Sequence, residues 1–298
     1  MVYHIPALLD ESINGLNIRP DGIYVDITFG GGGHSREILK RLTSGRLIAF
    51  DQDEDALRNI IEDERFTFLK QNFRFLKNNL RYIGITSVDG IIADLGVSFH
   101  QFDEPSRGFA YRHDAELDMR MNKNSSTKAS DLIATLDENE LANIFYEFGE
   151  LSNSRKIAHL IVEARAERPV NRVSDLMGTL SRLAPNRYEN KFYAKIFQAL
   201  RIAVNREIEN LKEMLLQAVE LLKTGGRLVV ITYHSIEDRI VKNFMRTGNI
   251  GGEEIKDFYG NQVTPFRLIT RKAIVPADKE IIENKRARSA KLRIAERI

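Results

Sequence analysis

The chain has no cysteine among its 298 residues, which excludes disulfides, thiolate metal sites and a cysteine nucleophile. No apolar run approaches the ~18 residues that read as a membrane span. Asp10 and Glu11 follow the first apolar residues, so no secretory signal is visible. These absences are compatible with a cytoplasmic location. A dominant charge is also missing: 44 Lys and Arg face 42 Asp and Glu, for a net charge of +2. Hydrophobic content of 43% and charged content of 29% are those of an ordinary globular protein. The length suits one large α/β domain with an inserted or appended module.

Two phosphate-binding signatures are absent too. There is no G-x-x-x-x-G-K-[ST], and counting G-x-G-x-x-G from Gly30 or Gly31 puts Ser35 or Arg36 where the last glycine must stand. What is present is Tyr24-Val-Asp-Ile-Thr-Phe-Gly-Gly-Gly-Gly-His-Ser35, a short β-branched run broken by four glycines and followed by a helix-like segment. Strand, glycine turn and helix open a βαβ unit in which backbone passes close to a ligand. The next apolar run ends at Asp51, about 20 residues beyond the turn, where a carboxylate can accept from the ribose hydroxyls of an adenosine. S-adenosylmethionine has no phosphate but carries an ammonium and a carboxylate. An acidic strand end at Asp26 and free backbone N–H groups suit it better than a dinucleotide. A glycine turn alone also has a purely structural explanation; the spacing to Asp51 is what favours the cofactor.

Strand and helix signals alternate through the first hundred residues, as in a parallel sheet with crossover helices. Residues 53–63 read as a helix, 66–69 as a third strand, and Val88 to Asp94 as a buried fourth strand that again ends in an acid. In open sheets of this kind ligands sit at the carboxyl ends of the strands. Asp26, Asp51 and Asp94 would then converge on one crevice, with Phe73 just beyond the third strand. From Gln101 to about Asn124 the pattern becomes polar and irregular. Between Ser130 and Leu183 the apolar spacing is helical, with Ser130, Asp137 and Ser174 as candidate N-caps. A long helix through Phe197, Leu200, Val204, Ile208, Leu211, Leu215 and Leu222 is expected to stop at Gly225-Gly226. A fifth strand over 227–233 and an antiparallel pair over 266–272 and 291–298 follow. The tail from Lys285 is basic, which suits either contact with phosphates or a solvated surface strand.

With these stretches in view, the chain resembles the bacterial 16S ribosomal RNA (cytosine-N4) methyltransferase family over nearly its whole length. The resemblance is carried by His4-Ile-Pro-Ala-Leu-Leu, Asp26-Ile-Thr-Phe-Gly-Gly-Gly-Gly-His-Ser35, Asp94-Leu-Gly-Val-Ser98 and Arg107-Gly-Phe109. It continues through Leu117-Asp-Met-Arg-Met121, Phe197-Gln-Ala-Leu-Arg-Ile202, Tyr233-His-Ser-Ile-Glu-Asp-Arg239 and Arg286-Ala-Arg-Ser-Ala-Lys-Leu-Arg293. It implies an α/β fold: a Rossmann-like class I methyltransferase sheet over 1–103 and 195–298. It also implies a helical insert over 104–194 that recognises RNA.

The same resemblance puts S-adenosylmethionine on Gly32, Gly33, His34, Asp51, Phe73, Asp94 and Gln101, with no metal. The partner it implies is 16S ribosomal RNA, naked or within the small subunit; a monomer and a homodimer both stay open. Asp94 or a neighbouring backbone carbonyl is the expected acceptor for the N4 amine, and His234 a second candidate for base positioning or proton removal. Glu237, Asp238 and Arg239 sit at a helix start, where acids also serve the helix dipole. The chain departs from the family pattern in four places. Phe99 replaces a small residue, Glu116 a common proline and Tyr233 the usual Phe, and the His-Pro-Ala-Thr-Arg run before Phe197 is missing. Two other readings remain: a methyltransferase of this fold acting on a protein or small molecule, and an inactive RNA-binding assembly factor. The unbroken glycine turn and intact acids oppose the second, while the basic tail and large insert oppose the first.

Overall fold

The computed structural model describes residues 6–298; His4 and Ile5 of the first motif, and the side chain of Phe99, lie outside what it describes. The chain divides into two units, one running up to Gly96 and again from Ile208, the other spanning Val97–Glu207.

The first unit is built on a seven-stranded sheet: β1 (Ile23–Asp26), β2 (Arg46–Asp51), β3 (Phe66–Lys70), β4 (Val88–Asp94), β5 (Leu222–Thr232), β6 (Phe266–Leu268) and β7 (Lys291–Arg297). Their order across the sheet is β3-β2-β1-β4-β5-β7-β6. The first five are parallel, and β7 runs antiparallel to both β5 and β6. Side chains alternate faces along a strand, and here both faces are apolar. Val25, Ile48, Phe50, Ile91, Ala93, Leu228 and Val230 enter one core, while Tyr24, Leu47, Ile92, Val229 and Ile231 enter the other. That double burial explains why these strands read as continuous apolar runs rather than alternating ones. The order reverses between β1 and β4, which makes the carboxyl ends of that pair the topological switch point.

Several expected elements are redrawn. Residues 53–63 hold only a 3-10 segment, Glu54–Asn59. The long helix is two, Glu189–Asn205 and Glu207–Leu221, separated by Arg206 in the left-handed region at φ 51°. β5 begins at Leu222, earlier than expected, and the outermost strand, β6, is only three residues long. Asp137 does cap the Glu138–Glu147 helix, its side chain accepting from Glu140 N–H at 2.8 Å. Ser130 and Ser174 instead lie inside helices that begin at Ala129 and Val173.

The regular elements of the second unit are all helices, and its limits of 97–207 are wider than the 104–194 expected from sequence. The physical reason is packing. Phe192, Tyr193, Ile196, Phe197 and Leu200 bury one stripe of the Glu189–Asn205 helix among Phe145, Ile157, Ile161 and Leu176, and Val97 packs on the same core. The irregular stretch before these helices is tied internally. The buried Arg107 donates from Nη2 to the carbonyls of Arg120 (2.8 Å) and Met121 (3.0 Å). Gly108 sits at φ 68°, where an added Cβ would lie 2.2 Å from the Glu116 carbonyl oxygen. Two of the motifs that carried the resemblance therefore hold this unit's own loop in shape.

Candidate active site at the carboxyl ends of the strands

The glycine turn between β1 and the Gly33–Arg41 helix is braced from several sides. Gly30 and Gly32 take positive φ (50° and 74°), and an added Cβ on Gly32 would strike the Phe29 ring. A Cβ on Gly33 would lie 2.3 Å from Pro6 Cγ, so packing alone demands glycine there. Gly31 has open space where its side chain would be. Arg36 Nη1 donates to Gly31 O at 2.6 Å and Asn59 Nδ2 to Gly30 O at 2.9 Å, so the carbonyls are drawn to the protein. The first N–H groups of the following helix have no carbonyl of their own helix to meet, as at any helix start.

Three carboxyl groups end β1, β2 and β4, and they do different work. Asp26 is only 1% exposed. It accepts from Thr28 N–H (3.1 Å) and Ser35 Oγ (2.7 Å), which ties the strand to the helix start. Direct contact with a ligand ammonium, the role its position suggested, is closed off by that burial. Asp51 accepts from Gly30 N–H at 2.8 Å on one oxygen and from Asp53 N–H at 2.9 Å on the other. A carboxylate has about four lone-pair sites, so each oxygen keeps one for an incoming hydroxyl. Asp94 has 22% of its side chain exposed. Its backbone N–H donates to Thr28 Oγ1 at 2.7 Å, and its Oδ1 accepts from Tyr233 Oη at 2.8 Å.

Electrostatically this rim is short of positive charge. Burial, helped at Asp51 and Asp94 by the charge of Asp26, pushes Asp26 and Asp51 up to about 6 and Asp94 up to about 7. His34 Nδ1 lies 3.9 Å from Asp94 Oδ2 but does not supply the missing cation. Its ring is 4% exposed, and burial lowers its pKa to about 4, opposed only in part by a backbone bond to Ala7, so it is neutral. A ligand carrying positive charge would stabilise all three carboxylates, and S-adenosylmethionine has both a sulfonium and an ammonium. The residues present fit it.

The remaining expected residues divide between the two units. Phe73 opens a short 3-10 turn after β3 and is half-buried against the sheet core. Asn72 beside it caps that turn and donates from Nδ2 to Gln52 Oε1 at 2.8 Å. Gln101 belongs to the helical unit, where its side-chain oxygen accepts from Ser98 N–H at 3.0 Å. His234 is the N-cap of the Ser235–Thr247 helix. Its Nδ1 accepts from Glu237 N–H at 3.4 Å, and its Nε2 lies 3.1 Å from Glu237 Oε1. Glu237 reaches back to Tyr233 N–H at 3.2 Å, so histidine and glutamate close a reciprocal cap. Within this unit the group aimed at Asp94 is thus Tyr233 rather than His234. The signal was available in the sequence, since tyrosine at a usual phenylalanine position adds one hydroxyl and nothing else. Thr28 and Ser35, which brace the acids, carried no such signal.

An open α/β sheet of this order, with a glycine turn after β1 and acids closing β1, β2 and β4, defines a class I methyltransferase. The MraW methylase family matches residues 1–298, and the chain belongs to that family. It is 58% identical over 296 residues to the ribosomal RNA small subunit methyltransferase H of Bacteroides fragilis, covering 99% of this chain and 97% of the relative. The proteins of that name from Bacteroides thetaiotaomicron (58% over 298 residues, 100% and 98% covered) and Flavobacterium johnsoniae (55% over 299 residues, 100% and 99% covered) are similarly close. Among solved structures, an rRNA methylase from Streptococcus thermophilus aligns over 97% of this chain and 93% of its own, at 12% identity and a TM-score of 0.42. That similarity is low, and the fold assignment rests on the strand order instead. The chain is an enzyme, a methyltransferase whose methyl donor is S-adenosylmethionine.

Proposed function

We propose that this protein methylates the exocyclic N4 amine of a cytidine in the decoding region of 16S ribosomal RNA, in the cytoplasm. The observation that carries the chemistry is Asp94: a strand-end carboxylate, partly exposed, held by Tyr233 and next to the glycine turn. Cytosine N4 is a poor nucleophile because its lone pair is delocalised into the ring. Catalysis therefore depends on orienting the amine and giving its N–H groups an acceptor as the nitrogen pyramidalises. Bound S-adenosylmethionine supplies a methyl group already activated on sulfur.

Asp51 would hold the ribose hydroxyls, Phe73 the adenine face, and the backbone of Gly32, Gly33 and His34 the amino-acid end. Asp94 accepts from the reacting amine, and its remaining oxygen, Oδ2, is the one not bound to Tyr233. His234 is read as the cap that fixes Tyr233 rather than as a proton carrier. The helical unit, residues 97–207, is read as the RNA-recognition module. Transfer of radiolabelled methyl from S-adenosylmethionine to small-subunit ribosomal RNA, followed by digestion to nucleosides, tests the reading. Label on N4-methylcytidine supports it; label on protein only, or on another nucleoside, overturns it.

A further inference from the structure

The basic tail suited either contact with phosphates or a solvated surface strand, and three of its six cations, Lys291, Arg293 and Arg297, are engaged within the protein. Arg293 Nε donates to Asp238 Oδ1 at 2.6 Å, and Lys291 lies 3.4 Å from the same carboxylate. Arg297 donates to the carbonyls of Val219 and Pro265. Close by, Lys242, Asn243 and Arg246 of the Ser235–Thr247 helix line a cleft of about 230 Å³ with Thr270, Arg271 and Arg293. Four of its lining residues are cationic and none is acidic. Arg246 is engaged by Glu254 at 3.3 Å and Arg293 by Asp238, which leaves Lys242 and Arg271 exposed at the cleft.

Over this helix hangs a small hairpin tip whose shape is fixed by one carboxylate. Asp257 Oδ1 accepts from the N–H groups of Tyr259 (2.9 Å) and Asn261 (2.8 Å), and Oδ2 accepts from Asn261 Nδ2 (3.1 Å). Lys256 and Gln262 bridge below it, and Gln262 Nε2 donates to Arg246 O at 2.7 Å, which ties the tip to the helix lining the cleft. The tip presents Phe258 and Tyr259, 97% and 85% exposed, with ring centroids 5.6 Å apart and planes at 87°. Folding buries almost none of either ring, though a buried aromatic side chain is worth roughly 1.5–3 kcal/mol. Two adjacent aromatics on an ordered tip beside clustered cations match the two needs of unpaired nucleic acid: faces for bases and positive charge for phosphates.

We propose that the Phe258–Tyr259 tip and the Lys242–Arg271 cleft form a second RNA-binding site, which stacks an unpaired base and holds the adjoining phosphate of the substrate strand. The helix that carries Lys242 and Arg246 starts at the catalytic rim. At about 1.5 Å of rise per residue, these residues stand about 10 and 16 Å along it from Ser235. That is the reach of a few nucleotides, so the site would grip RNA flanking the target cytidine. The inference rests on ribosomal RNA being the substrate.

Filter binding of transcribed small-subunit ribosomal RNA across a salt series, on the full chain, tests it. Phe258→Ala/Tyr259→Ala should weaken binding by about ten- to a hundredfold with the salt slope unchanged. Lys242→Ala/Arg271→Ala should weaken binding and lower the slope of log K against log salt by about 1.4 to 1.8, two contacts at about 0.7 to 0.9 each. Phe258→Trp/Tyr259→Trp should bind like the parent. S-adenosylmethionine affinity by calorimetry should be unchanged in all three, which shows that each is folded. Parent-like RNA affinity in both alanine variants overturns this site while leaving the substrate assignment standing. Failure of the parent itself to bind RNA overturns the substrate assignment. If light scattering shows a dimer that Phe258→Ala/Tyr259→Ala dissociates without loss of RNA affinity, the tip serves a second copy of the chain and the proposal falls.

Discussion

Two ends of one sheet treat the same side chain in opposite ways. On the β5–β7–β6 side Asp238 and Glu296 have cations beside them. Asp238 meets Arg293 and Lys291, and Glu296 meets Arg227 at 2.7 Å as well as Arg267; Asp89, at the start of β4 and so at the opposite end of that strand from Asp94, likewise meets Lys223 at 2.9 Å and Arg19. Burial pushes Asp238 and Asp89 up, but the neighbouring donors and cations more than reverse it, and both sit below the usual carboxylate range. At the rim of β1, β2 and β4 burial acts on Asp26, Asp51 and Asp94 with no Lys or Arg beside them among the described residues, and all three are raised. The first arrangement is complete in itself and serves stability. The second would be stabilised by a cationic ligand, and groups perturbed by burial in this way cluster at functional sites.

The comparison can be broken most sharply at Asp94. Asp94→Ala is expected to lower kcat by about 100- to 10,000-fold, the range for losing a positioned proton acceptor, while S-adenosylmethionine affinity falls less than tenfold. Single-turnover kinetics with calorimetry separates the two; equal losses would assign Asp94 to holding the cofactor. Arg293→Ala tests the paired end. It leaves the mostly buried Asp238 with only Lys291 and should cost about 3 kcal/mol in denaturant unfolding, with S-adenosylmethionine affinity unchanged. A stable variant would mean that the pairing at this end is incidental.

Asp51→Ala should weaken S-adenosylmethionine binding by about ten- to a hundredfold, one or two charge-assisted hydrogen bonds. Unchanged affinity in calorimetry would remove Asp51 from the site. The smallest effect belongs to Tyr233→Phe. Its hydroxyl favours the ionised form of Asp94, so losing it should raise that pKa from about 7. Because the ionised carboxylate is the acceptor, the acid limb of the kcat–pH profile should move to higher pH. Activity should fall about two- to fivefold below the limb and match the parent well above it. A uniform drop at every pH would instead make Tyr233 a packing residue.

The sequence by itself determined the parallel sheet, its glycine turn and the three strand-end acids. Those features rest on local rules: apolar runs for strands buried on both faces, glycine for positive φ, and a fixed spacing from turn to acid. It also determined the membership of the family, through motifs spread along the whole chain. Tertiary structure alone decided what each charged group faces. Nothing local shows that Asp26 spends its oxygens on Thr28 and Ser35, that His234 caps a helix, or that Arg293 is consumed by Asp238, 55 residues away. It also set the limits of the helical unit, because the Glu189–Asn205 helix shows the same periodicity whichever core its apolar stripe joins. Periodicity encodes which face of an element is buried; the partner that buries it is chosen by contacts between residues far apart in the chain, and those contacts carry no local signature.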